Sequence, residues 1–174
     1  VVKVGILGSG FGRYHAELYQ KLGGFEVVLM FGRDEKKLGE IEENLNIRTT
    51  TDINKVIKNE QIDIIDICLP TPLHAHWAIE ALKCGKHVFC ETPLTYNLDD
   101  AEQILQASDK YKRMVFVDLF FKFSPPHQIA LDHTKSLELG EIKSVHSYNK
   151  TAPVWGTLGL QKNVRISTSI ILIF

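Results

Sequence analysis

A chain of 174 residues with 44% hydrophobic and 24% charged residues has the composition of a globular domain, long enough for one good core and part of a second. Its net charge of -1 and pI near 6.7 offer no electrostatic footprint for nucleic acid, and no run of like charge forms a tail. Binding nucleic acid as a main role is therefore not expected.

The chain opens on an apolar run, Val1-Val2-Lys3-Val4-Gly5-Ile6-Leu7, that enters a glycine turn, Gly8-Ser9-Gly10-Phe11-Gly12-Arg13. Lys3 and the glycines interrupt the run, so it reads neither as a signal peptide nor as a membrane span. The residues after the turn, His15, Ala16, Leu18, Tyr19 and Leu22, have helical spacing. A strand, a glycine turn and a helix in succession suit a phosphate, because missing side chains let it approach the backbone N–H groups at the helix start. Gly8 and Gly10 occupy the first two glycine slots of G-x-G-x-x-G. The third slot holds Arg13, with Gly12 one residue early.

Short β-branched runs then alternate with amphipathic stretches, the pattern of βα units around a parallel sheet. Strands are predicted at 2–7, 26–31, 62–69, 87–90 and 114–120, with a short one at 47–49, and helices at 34–45, 52–58, 74–84 and 97–111. Asn97 can cap the last of these, with Asp99 and Asp100 complementing the helix dipole. Right-handed crossovers give a doubly wound sheet with ligand at the carboxyl ends of its strands.

Beyond residue 120 the character changes. Ser124-Pro125-Pro126 opens a helix expected to stop at Gly140, and 142–150 alternates like a strand with one wet face. This reads as the incomplete start, 121–174, of a second, α+β domain with an antiparallel sheet, after a first domain over 1–120. The apolar ending Ile170-Ile171-Leu172-Ile173-Phe174 reads as a truncation, a shifted frame, or an edge strand covered by a partner.

Cys68, Cys84 and Cys90 fall in or beside apolar segments without C-x-x-C spacing, so buried reduced thiols in a cytoplasmic protein are expected. His74 and His76, two apart, point to different sides of a helix and read as helix-start residues rather than a metal pair. No metal site is expected.

Four segments in order carry a resemblance: Gly8-Ser9-Gly10 with His15; Pro70-Thr71-Pro72-Leu73-His74-Ala75; Gly85-Lys86-His87-Val88-Phe89-Cys90-Glu91-Thr92-Pro93-Leu94; and Lys122-Phe123-Ser124-Pro125 leading to Leu139-Gly140-Glu141-Ile142. Over residues 1–156 the chain resembles the glucose-fructose oxidoreductase / inositol dehydrogenase / MocA (Gfo/Idh/MocA) family of NAD(P)-dependent oxidoreductases. The resemblance implies a Rossmann domain, a second domain whose open sheet makes homo-oligomers, and hydride transfer on sugars, cyclitols or related small molecules. It places Glu91 beside the nicotinamide ribose, and with the turn and rim residues the expected cofactor contacts are Gly8, Gly10, Phe11, Gly12, Arg33, Thr71, Pro72, His74, Glu91 and Pro93.

Departures from the family pattern bear on chemistry. Its glutamate-lysine-proline segment is Glu91-Thr92-Pro93 here, so the proton-handling lysine is replaced by Thr92. A threonine hydroxyl can orient a substrate, yet holds its proton too tightly for acid-base work near neutral pH. Lys122 stands where the family has arginine, and is the candidate to supply the missing ammonium. The family's later aspartate and histidine segment has no counterpart in the sequence; His127 is a further catalytic candidate. Thr92 and Lys122 are thus the expected catalytic residues, and the alternative is a non-catalytic NAD(P)-binding sensor or regulatory module.

At the end of the second strand, where an acid would accept both ribose hydroxyls of NAD, the chain reads Phe31-Gly32-Arg33-Asp34. An arginine there fits a 2′-phosphate, so NADP is preferred over NAD. The competing reading makes Arg33 a solvated turn residue and Asp34 a helix cap. For Glu91 the alternative to a ribose contact is a loop acid paired with Lys86 or Lys122.

Overall fold

The computed structural model describes residues 1–136 together with Gly140, Glu141, Lys143 and Ser144. These divide into two units, Val1–Asp118 and one that begins at Leu119.

The first unit is a six-stranded parallel sheet of order β3-β2-β1-β4-β5-β6: β1 (Val2–Leu7), β2 (Phe25–Phe31), β3 (Thr49–Thr50), β4 (Ile64–Ile67), β5 (His87–Cys90) and β6 (Val115–Val117). After β3 the chain crosses back past β1 to lay down β4 on its far side. The β1–β4 seam is therefore the point where the winding reverses, and such a seam leaves a crevice at the carboxyl ends of its strands.

Five helices cover the sheet: α1 (Phe11–Lys21), α2 (Glu35–Leu45), α3 (Ile53–Ile57), α4 (His74–Lys83) and α5 (Leu98–Tyr111). The period of two along β1 sends Val4 and Ile6 into a core with Ala16 of α1 and Ile41 of α2. Leu7 faces the other way, into a core with Val56 of α3, Ala78 and Leu82 of α4 and Ile104 of α5. The buried valines, leucines and isoleucines each stabilise the fold by about 1.5–3 kcal/mol relative to exposure.

Helix starts follow the short polar residues. The side chains of Asp34, Asp52 and Asn97 accept from the backbone N–H groups of Lys37, Asn54 and Asp100, each cap being worth about 1 kcal/mol. Lys86 is buried, and its ammonium donates to the carbonyls of Asn59 and Ile62 at 2.7 Å each. The loop before β4 is thereby fastened to the start of β5.

Several boundaries differ from expectation. β4 is shorter than 62–69 because Ile62 closes a turn on Asn59, and β6 ends at Val117 rather than near residue 120. The short strand lies at Thr49–Thr50, where it pairs with Met30 and Phe31. Asp34 stands outside its helix as the cap.

The second unit contains a 3-10 helix, Phe120–Phe123, and α6, Pro125–Lys135. This helix stops short of Gly140, with Ser136 donating its N–H to Asp132 and its hydroxyl to the His133 carbonyl. Of the strand expected at 142–150, Lys143 and Ser144 are described and are not in a strand; the rest of that strand and the apolar ending lie outside the described residues. Among the described residues no helix is long and apolar enough to cross a membrane.

Candidate functional site

Four residues leave the carboxyl ends of neighbouring strands and keep one more ladder bond each. Gly8 donates its N–H to Phe31, Cys68 to Leu7, Glu91 to Ile67 and Asp118 to Cys90, at 2.8–3.0 Å. The rim of the crevice is thus fixed by the sheet itself.

Gly8 has φ +117°, a conformation that side chains rarely adopt, and a Cβ there would run into the Cys68 carbonyl. At Gly12 a Cβ would stand 2.7 Å from Ile6 Cγ2, so this glycine permits close packing of α1 on β1. The early glycine therefore does the packing work of the third fingerprint glycine. Arg13 is half-buried and pairs with Glu17 at 3.3 Å.

The turn fits a dinucleotide phosphate on two observations. Helix α1 starts with no side-chain cap and no acid in its first turn. No atom lies within 4 Å of where a Cβ on Gly10 would stand, so its backbone faces open space. A helix N-terminus of this kind attracts anions through its N–H groups and its dipole.

The polar heart of the site is His15 of α1. Its Nδ1 donates to Asp66 Oδ2 at 2.9 Å, and Asp66 is fully buried in β4. Asp66 also accepts from the Tyr19 hydroxyl at 3.0 Å and from the Cys68 thiol at 3.3 Å. On its other side, His15 Nε2 faces Glu91 Oε1 at 3.0 Å in an ion pair, with Asp118 Oδ2 at 3.9 Å. Glu91 Oε2 accepts the Thr92 N–H at 3.1 Å.

Burial by itself would lower the His15 pKa, but its hydrogen bonds to Asp66 and Glu91, reinforced by their charges, raise it to about 10. The imidazolium is then the form present at neutral pH. Burial, with Asp66 nearby, pushes the Tyr19 hydroxyl and the Cys68 thiol up, so both stay neutral. Asp118 is raised by burial and by Glu91, against the opposing pull of His15. Donor atoms of His15, Glu91 and Asp118, and of His15, Asp66 and Cys68, lie within 4.8 Å of one another. Such spacing is within reach of a metal ion, but both imidazole nitrogens already face carboxylates.

The expected site residues take distinct places. Thr71 is buried in a 3-10 helix, Thr71–Leu73, with Pro72 exposed on the rim. His74 is buried at the start of α4, with Nε2 2.6 Å from the Leu69 carbonyl and Nδ1 3.0 Å from the Pro93 carbonyl. Its ring ties the Pro93 loop to the end of β4 and leaves no nitrogen for a ligand. His76 is exposed and packs edge-on to Trp77. Arg33 is exposed after β2, and beside it Gly32 has no room for a side chain, since a Cβ would meet Ser9 Oγ at 2.7 Å and Leu38 Cδ2 at 2.8 Å. Lys122 and His127 belong to the second unit. Lys122 is exposed, and its carbonyl accepts from Gln128. His127 is exposed and paired with the Ser124 hydroxyl.

The alternative that paired Glu91 with Lys86 does not hold, since the Lys86 ammonium is spent on Asn59 and Ile62 and the partner of Glu91 is His15. One expectation is corrected. Of the cysteines only Cys90 is buried; Cys68 is half-buried and Cys84, at the end of α4, is exposed. The sequence reading also assigned no role to Asp66, Tyr19 or Asp118. Asp66 carries a visible signal, a lone charge within Ile64-Ile65-Asp66-Ile67, which a core tolerates only when the charge is paired.

Comparison with known proteins gives the same outline. A family model described as an oxidoreductase family with an NAD-binding Rossmann fold, GFO_IDH_MocA, matches residues 2–119. The chain is 28% identical over 129 residues to 4-carboxy-2-hydroxymuconate-6-semialdehyde dehydrogenase of Sphingobium sp., a match covering 73% of this chain and 41% of that protein. Myo-inositol 2-dehydrogenase of Thermotoga maritima is 27% identical over 124 residues, 70% of this chain and 37% of the relative. A crystal structure of myo-inositol 2-dehydrogenase from Lactobacillus plantarum superposes with a TM-score of 0.76 at 26% identity, over 81% of this chain and 43% of that one. In each case the matched part is less than half of the relative's length. With the family model spanning two thirds of the chain, and with its sheet order and glycine turn, the chain belongs to the Gfo/Idh/MocA oxidoreductase family and carries that family's NAD-binding Rossmann fold.

Proposed function

We propose that this chain is the cofactor-binding part of an NAD(P)-dependent oxidoreductase acting on a hydroxyl or carbonyl carbon of a sugar, cyclitol or related small molecule. The observation that carries this reading is the glycine turn at the β1–β4 seam, open at Gly10 and leading into a helix whose start has neither side-chain cap nor acid. The inositol dehydrogenases among its relatives support a polyol-like substrate.

When bound, a nicotinamide cofactor supplies the chemistry of hydride donor or acceptor. Backbone N–H groups at the start of α1, from Phe11 and Gly12, hold the pyrophosphate, with Gly8 and Gly10 giving it access. Glu91 accepts from a ribose hydroxyl, and Thr71, Pro72 and Pro93 wall the rim. Arg33 grips the 2′-phosphate of NADP, and Gly32, lacking room for an acid, supports that preference over NAD. The Thr92 hydroxyl orients the substrate.

Thr92 at the family's lysine position also favours a second reading, a dinucleotide-binding sensor or regulatory module without turnover. Fluorescence titrations of the chain with NADPH and with NADH test the first reading. Tighter binding of NADH overturns the NADP preference, and binding of neither overturns the function. Oxidation of inositol or another polyol with NADP+ by the unmodified chain eliminates the sensor.

A further inference from the structure

We propose that His15 is the positioning residue of the dinucleotide site: anchored to Asp66 through Nδ1, its imidazolium holds the Glu91 carboxylate ionised and in place through Nε2, keeping Glu91 an acceptor for the cofactor ribose. The proposal rests on the dinucleotide reading above and assigns its electrostatic control to one side chain.

The groups facing His15 come from every element around it. Asp66 comes from β4 and Cys68 from just beyond it; Glu91 follows β5, Asp118 follows β6, and Tyr19 and Tyr14 share α1. With Cys68 and Tyr19 neutral, three carboxyl groups surround one cation. Without that cation the three could not all stay ionised in a half-buried space, since like charges this close force one of them to keep its proton. A protonated Glu91 would present an O–H where the ribose hydroxyl needs an acceptor.

The geometry does more than supply charge. The His15 ring is 5% exposed and lies between Phe11, with ring centroids 5.3 Å apart, and Phe89, at 6.0 Å. Asp66 is itself held by Tyr19 and Cys68, so the ring cannot turn away from Glu91 without breaking a buried pair. The helix whose first N–H groups would receive the pyrophosphate thus also carries the residue that sets Glu91, and both ends of the cofactor are registered by one rigid element.

The test is NADPH affinity, read by fluorescence from pH 6 to pH 9, in the unmodified chain, His15→Gln, Glu91→Gln and the double variant. In the unmodified chain affinity should be flat with pH. His15→Gln should bind about tenfold more weakly at pH 6 and recover as the pH rises and the carboxyl cluster left without its cation sheds its proton. Glu91→Gln should be weak at every pH, and adding His15→Gln to it should cost nothing further. Unaltered, pH-independent binding in His15→Gln overturns the proposal alone. If the unmodified chain binds neither NADPH nor NADH, the dinucleotide reading fails and takes the proposal with it. Histidine NMR on the unmodified chain needs no variant to fold: a doubly protonated His15 at pH 8 supports the proposal, and a neutral ring overturns it. A cobalt(II) absorption band that disappears in His15→Gln would also overturn it, by showing the cluster to be a metal site.

Discussion

Asp66 and His15, 51 residues apart in sequence, meet at 2.9 Å inside the protein, and the pair joins the central strand β4 to the helix that follows the glycine turn. A fully buried carboxylate is tolerable only with such partners, and removing one partner of a buried pair costs far more than the pair contributes.

Asp66→Asn should therefore destabilise the chain by about 3 kcal/mol, leaving the imidazole without its anchor and Tyr19 and Cys68 without an ionised acceptor. Urea unfolding followed by circular dichroism measures this. A loss below about 1 kcal/mol would show that the pair does not stabilise the fold.

Stability should fall as pH rises from 6.5 towards 10. The folded value for His15, about 10, lies above its ordinary 6.5, so the folded state holds the proton more tightly. That contribution is complete below pH 6.5, declines through the interval and is gone above pH 10, a change on the order of a few kcal/mol. Thermal melts across this range should show a falling Tm in the unmodified chain and a flatter profile in His15→Gln.

Gly8→Ala and Gly10→Ala should separate folding from binding. The first forces a side chain into a positive-φ position against the Cys68 carbonyl and should cost about 3 kcal/mol or more of stability. At Gly10 the added methyl enters open space, so stability should hardly change while affinity for NADPH falls at least about tenfold. Melting curves and fluorescence titrations on the two variants give both quantities.

Arg33→Ala should weaken NADPH binding by about tenfold, the loss of a charge-assisted pair to phosphate, and leave NADH binding nearly unchanged. Equal losses for both cofactors would mean that Arg33 does not touch the 2′-phosphate.

The strands and helices were legible in sequence because β-branched runs, cap residues and glycines act locally: Asp34, Asp52 and Asn97 each cap a helix within three residues of their own position. The glycine turn was legible for the same reason, although Gly12 assumed a packing role that spacing had assigned to position 13. The polar cluster was not. Its members come from α1 and from the ends of three strands, and only the order in which those strands lie side by side joins His15 to Asp66, Glu91 and Asp118. Family resemblance named Glu91 but not His15 as its partner, because the two stand on different elements far apart in sequence.

The four ladder bonds made by Gly8, Cys68, Glu91 and Asp118 constrain how such a site can diverge. Because these bonds run through backbone N–H groups, any residue but proline keeps them, so the backbone of the seat stays fixed whatever side chains it carries. Arg33, just after β2, and Pro72, in the 3-10 helix Thr71–Leu73, are exposed beyond the ladder, where exchange of a side chain leaves the sheet intact. Cofactor choice and rim shape are therefore the properties this scaffold can alter by single steps, while the seat beneath them is inherited whole.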